Sequence, residues 1–128
     1  MKHNIYILFL ILGLLVFPQI NYAQVDFNKP TDDLGDVDDQ FQEYFFEAMK
    51  QKSIENYDRS VEALLKCKQL NKNVPVVYYE LGKNYTKLKN FGSAEGAFKE
   101  AISKEPKNEW YLDALYQFYI EQNDLNKA

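Results

Sequence analysis

The sequence predicts an all-α protein built of antiparallel helix hairpins stacked side by side. Three observations carry that prediction. From Gln40 onward apolar residues recur at spacings of three and four, the period of a helix with one buried stripe. Short polar breaks cut this pattern, and connections so short turn neighbouring helices antiparallel. The chain also aligns with itself at a shift of 34 residues, the mark of a repeat architecture.

The elements follow in chain order. Met1 and Lys2 make a basic start, Ile5 to Phe17 an apolar run, and Ala23 a small residue after the polar stretch that Pro18 opens. That is the layout of a secretory signal peptide, so residues 1–23 are expected to be removed and the protein exported to the periplasm or cell envelope, or secreted. The run falls short of the roughly 20 apolar residues that span a bilayer. Membrane attachment would come only through this segment, left uncut. No Cys lies near the cut to carry a lipid.

Residues 24–39 hold Asp26, Asp32, Asp33, Asp36, Asp38 and Asp39 with Pro30 and Gly35. They are expected to form a flexible acidic leader. They do not make a calcium loop. With Gly35 at the sixth place, Pro30 and Leu34 stand where oxygen ligands are required. Five helical stripes come next: Phe41, Tyr44, Phe45 and Ala48; Tyr57, Val61, Leu64 and Leu65; Tyr78, Leu81 and Tyr85; Phe91, Ala94, Phe98, Ala101 and Ile102; then Leu112, Leu115, Phe118 and Tyr119. The breaks between them fall at Ser53–Asn56, Asn71–Pro75, Lys89–Asn90, Glu105–Asn108 and Gln122–Asp124.

At the 34-residue shift Asn56, Asn90 and Asp124 align, as do Tyr57, Phe91 and Leu125, and the small residues Ser60, Ala94 and Ala128. Leu64 pairs with Phe98 and Cys67 with Ala101. In the preceding helices Tyr78 aligns with Leu112, Leu81 with Leu115, Gly82 with Ala48 and Tyr116, and Tyr85 with Tyr119. Tyr78, Leu81-Gly82, Tyr85, Ala94, Phe98 and Pro106 stand at the positions of W-x₂-L-G-x₂-Y, A-x₃-F and P. The chain therefore resembles the tetratricopeptide repeat family, with units at about 41–74, 75–108 and an incomplete 109–128. The resemblance implies a short right-handed α-solenoid. Small residues such as Gly82, Ala94 and Ala101 would let helices approach, and Tyr85, Phe91 and Phe98 would fill the space beside them. With the second helix of the third unit only begun, Leu112, Leu115 and Tyr119 are expected to stand bare. That predicts an N-terminal piece of a longer repeat protein.

Composition narrows the function. The whole chain has a formal net charge of −4, and losing Lys2 makes it more acidic still. This is a poor match to phosphate backbones, so no nucleic-acid partner is expected. His3, the only histidine, lies in the signal segment, and Cys67, the only cysteine, aligns with Ala101 as a small buried residue. No zinc motif, nucleophile–base pair or phosphate loop can be assembled, so no catalytic residue, metal, cofactor or small-molecule substrate is expected. What remains is binding of a protein or peptide. By resemblance, the first helix of each repeat lines a concave groove. Its positions here are Phe45 and Met49, then Tyr79, Lys83 and Lys87, then Trp110 and Gln117. Aromatic anchors beside lysines suit a peptide with an apolar side chain and a carboxylate. The expected role is a protein-interaction scaffold of the bacterial cell envelope. The alternative is the docking arm of a larger exported enzyme with its catalytic domain beyond residue 128.

Overall fold

The computed structural model describes residues 33–122. They form helices α1 (Asp33–Ser53), α2 (Tyr57–Leu70), α3 (Pro75–Lys87), α4 (Phe91–Lys104) and α5 (Glu109–Glu121), with no strand among the described residues. The expected signal peptide at 1–23, the leader as far as residue 32 and the segment 123–128 lie outside the described residues.

One boundary is corrected. The acidic leader was expected to run to residue 39, but α1 starts at Asp33. Residues 35–40 are exposed, and the first fully buried side chain of α1 is Ala48. A helix needs no burial in its first turns if its charges suit it. The carboxylate of Asp36 sits near the positive end of the helix dipole. One turn on, the Gln42 amide donates to Asp38 at 3.4 Å.

The turns repeat with the sequence. After α1, Glu55 adopts φ 60°, its amide donates to the Lys52 carbonyl at 3.0 Å, and that of Asn56 donates to Gln51 at 2.9 Å. After α3, Lys89 adopts φ 59°, its amide donates to Thr86 at 3.0 Å, and that of Asn90 to Tyr85 at 2.9 Å. Both are left-handed helix stops that satisfy the last carbonyls, built without the usual glycine. The alternate connections match likewise. The amide of Asn71 donates to Cys67 and that of Glu105 to Ala101. The hairpins α1/α2 and α3/α4 thus share one template, and Pro75 opens α3 at a position where a missing amide hydrogen costs nothing.

Packing explains the small residues. Ser60 is fully buried, and its hydroxyl donates to the Ala48 carbonyl at 2.9 Å, so α1 and α2 meet backbone to side chain. Ala48, Val61, Leu64, Cys67, Val77 and Leu81 form a core that joins the first hairpin to α3. Between α3 and α4, a Cβ placed on Gly82 would lie 2.7 Å from the Phe98 ring. Ala94 and Phe98 then meet Phe118 and Tyr119 of α5. Tyr78 packs with Ala101 and Tyr111, its hydroxyl donating to the Lys72 carbonyl at 2.9 Å. The ammonium groups of Lys68 and Lys104 lie 5.3 and 4.8 Å from the centre of its ring. Across the first hairpin and α3, Lys52 meets the largely buried Glu80 at 2.6 Å.

The expectation of a bare α5 is corrected in part. Leu112 is 46% exposed, but Tyr119 is buried and Leu115 half-buried. The Tyr119 ring faces back onto α4, where its hydroxyl donates to Glu95 at 2.9 Å. The exposed aromatics of this helix are instead Trp110 and Tyr116.

Candidate functional site

Helices α3 and α5 occupy equivalent places in successive repeats, and a cleft of about 260 Å³ lies between them. On α3, Tyr79, Lys83, Thr86 and Lys87 follow at spacings that keep them on one face. Ala114, Gln117, Phe118 and Glu121 supply the α5 side, and Phe98 of α4 contributes its ring. The Tyr79 ring is tilted against Tyr111 at 5.3 Å and meets Phe98 edge-on at 6.4 Å. Lys83 holds its ammonium 5.0 Å from the Tyr79 ring centre and 3.9 Å from the Glu80 carboxylate. The Thr86 hydroxyl donates to the Gly82 carbonyl at 2.8 Å. Lys87 and Glu121 are exposed. Burial, and then the nearby Glu80 carboxylate, hold the Tyr79 phenol above its ordinary titration range.

The cleft offers an aromatic floor, two ammonium groups and one carboxylate. It can seat an apolar side chain and hold a carboxylate by charge. The Cys67 thiol is buried in the first core, where burial pushes it up to about 11 and keeps it a neutral packing group. Among the described residues no cluster of His, Cys, Asp and Glu could hold a metal ion, and no helix is long and apolar enough to cross a membrane.

Of the residues assigned to a groove from sequence, Tyr79, Lys83, Lys87 and Gln117 line this cleft together. Trp110 does not. It shares the stripe of Ala114 and Gln117 by spacing but stands 78% exposed on the first turn of α5. Phe45 and Met49 are half-buried on α1 against the first core, with Phe45 stacked on Phe41 at 6.2 Å. Thr86, Phe98, Ala114, Phe118 and Glu121 were not singled out for the site. Glu121 follows Gln117 by one turn, and that spacing could have found it. Phe98 and Phe118 were read as core, which they also are.

The Tetratricopeptide repeat profile matches residues 75–108, the stretch that holds α3, α4 and the twin turn at Lys89. The protein carries a tetratricopeptide repeat. None of the curated proteins matches the chain. The repeat is a non-catalytic scaffold of the kind that binds proteins or peptides. The hairpin α1/α2 repeats its turn geometry one unit upstream.

Proposed function

We propose that the protein is an exported interaction scaffold of the cell envelope that binds an extended peptide, or one face of a partner helix, in the cleft between α3 and α5. The observation that carries this reading is the convergence of Tyr79, Lys83, Lys87 and Gln117, drawn from two successive repeats, around one opening. The preferred ligand presents an apolar side chain to Tyr79, Phe98 and Phe118 and a carboxylate to the lysines. The export half of the proposal rests on the basic start, apolar run and Ala23 of the first 23 residues.

Photo-crosslinking in cells tests the binding half. Lys87 is the position of choice, because it is exposed and lines the cleft, whereas Tyr79 is held by two other rings. Lys99, exposed on α4, is the control. A discrete adduct from Lys87 and none from Lys99 is expected, and Lys87→Glu should weaken capture of the same partner. Equal adducts from both positions, or none from either, would sink the assignment. A mature N-terminus at Met1 would remove the export claim.

A further inference from the structure

The cleft between α3 and α5 owes its opening to two short side chains. One repeat earlier, where α1 meets α3, an ion pair lies across the same place. Lys52 of α1 reaches Glu80 of α3 at 2.6 Å, and Glu80, only 8% exposed, also has the Lys83 ammonium at 3.9 Å. At the 34-residue shift Lys52 aligns with Thr86 and Glu80 with Ala114, and both of these line the cleft. A long cation and a carboxylate that meet across the first junction are thus replaced, at the second, by a hydroxyl and a methyl group. The Thr86 hydroxyl donates to the Gly82 carbonyl at 2.8 Å, so its proton is used within α3. Ala114 is half-buried against the cluster of Ala94, Phe98, Phe118 and Tyr119.

The floor changes with the walls. Leu64 and Asn84 of the first junction align with Phe98 and Phe118, whose ring centres lie 5.8 Å apart. The first junction is bridged by charge, whereas the second is open over two rings. An opening of about 260 Å³ above such a floor suits one aromatic side chain, which can tilt against the rings as Tyr79 does against Tyr111. Lys83 and Lys87 on the α3 wall add positive charge beside it. We infer that Thr86 and Ala114 are the specificity-determining residues of the cleft. The space that a lysine–glutamate pair takes at the first junction receives one phenylalanine-sized side chain of an extended peptide at the second, with an adjacent acidic residue held by the lysines. The inference rests on the peptide-binding reading of this cleft, and adds which junction binds and what opens it.

Fluorescence anisotropy with the full chain tests this. The probes are short labelled peptides of glycine and serine, one with phenylalanine ahead of two aspartates, the other with alanine in place of the phenylalanine. The wild-type chain should bind the phenylalanine peptide at least about tenfold tighter, the worth of sinking much of a ring. Thr86→Lys together with Ala114→Glu rebuilds the ion pair and should erase that preference while circular dichroism shows the helix content unchanged. Ala114→Leu fills the same space without charge and should erase it too, which separates filling from repulsion of the aspartates. Lys52→Thr together with Glu80→Ala opens the first junction and should let the chain bind a second equivalent of the phenylalanine peptide. Filled variants that fold and keep the tenfold preference would overturn the inference alone, leaving the cleft reading in place. So would an opened variant that folds yet binds one equivalent. No preference for phenylalanine in the wild-type chain would remove the cleft reading itself, and this inference with it.

Discussion

Adding one methyl group to Gly82 tests how α3 and α4 meet. In Gly82→Ala the new Cβ would lie 2.7 Å from two atoms of the Phe98 ring and 2.9 Å from a third. Carbon atoms settle at about 3.5–4.0 Å, so the ring must retreat by roughly 1 Å. It has little room. Phe98 is 3% exposed and is hemmed in by Tyr79 at 6.4 Å and Phe118 at 5.8 Å. Overpacking of this kind costs about 1–3 kcal/mol. Against it stands the gain of about 1 kcal/mol from replacing glycine by alanine inside a helix. The expected net effect is a loss of about 0–2 kcal/mol. Gly96→Ala, whose Cβ meets nothing within 4 Å, isolates the helix gain and should stabilise by about 1 kcal/mol. The difference between the two variants measures the steric cost. At about 4–8 °C per kcal/mol for a domain of this size, thermal unfolding followed by far-ultraviolet circular dichroism resolves it. Phe98→Leu in the Gly82→Ala background recreates the Ala48/Leu64 pairing of the first hairpin, and the double variant should recover at least about 0.5 kcal/mol beyond additivity. If Gly82→Ala stabilised as much as Gly96→Ala, the close approach of the two helices would be wrong.

Other parts of the structure are equally open to measurement. Lys52→Met removes the 2.6 Å partner of Glu80, whose side chain is 10% exposed, and should cost about 1–3 kcal/mol in urea unfolding, while Glu80→Gln should cost less. Tyr119→Phe deletes the hydroxyl bonded to Glu95 and should lower stability by about 0.5–1.5 kcal/mol without changing the helix content. The Cys67 thiol should resist a disulfide reagent at pH 8 in the folded protein and react at once in urea; fast native labelling would contradict its burial. Burial raises this thiol from 9.0 to about 11, so the folded state holds its proton more firmly than the unfolded chain. That contribution to stability is present in full below pH 9 and is lost as the pH rises through about 11, a loss that Cys67→Ala should remove.

Much of the architecture could be read from the sequence, because repeats write the same instruction more than once. The breaks at Ser53–Asn56, Lys89–Asn90 and Glu105–Asn108 are where helices stop and start. They were legible because Asn, Pro and polar residues interrupt a steady apolar period. The start of α1 was not legible, since residues 35–40 are exposed and an acidic helix end looks like a solvated tail. The site was half legible. Register on α3 put Tyr79, Lys83 and Lys87 on one face, and all three line the cleft, whereas Trp110, assigned by the same register, stands exposed outside it. A groove position is set by its own helix, whereas a cleft also needs a wall opposite, and at the first turn of α5 no opposing wall encloses the indole. Tyr119 was misjudged for a related reason. Alignment gave its repeat position, but only the fold shows the Glu95 carboxylate waiting on α4.

The pattern of neighbours has a consequence for how the chain acquires its shape. Each helix packs mainly on the one before and the one after it. Among the described residues most contacts between helices join sequence neighbours, so the loop-closure entropy of each step is small. Folding can begin at either hairpin and spread along the stack. A chain emerging from a narrow exit, one end first, can close α1 on α2 and then receive α3 on the surface that pair presents. Such a protein needs no complete copy of itself in hand before it starts to fold.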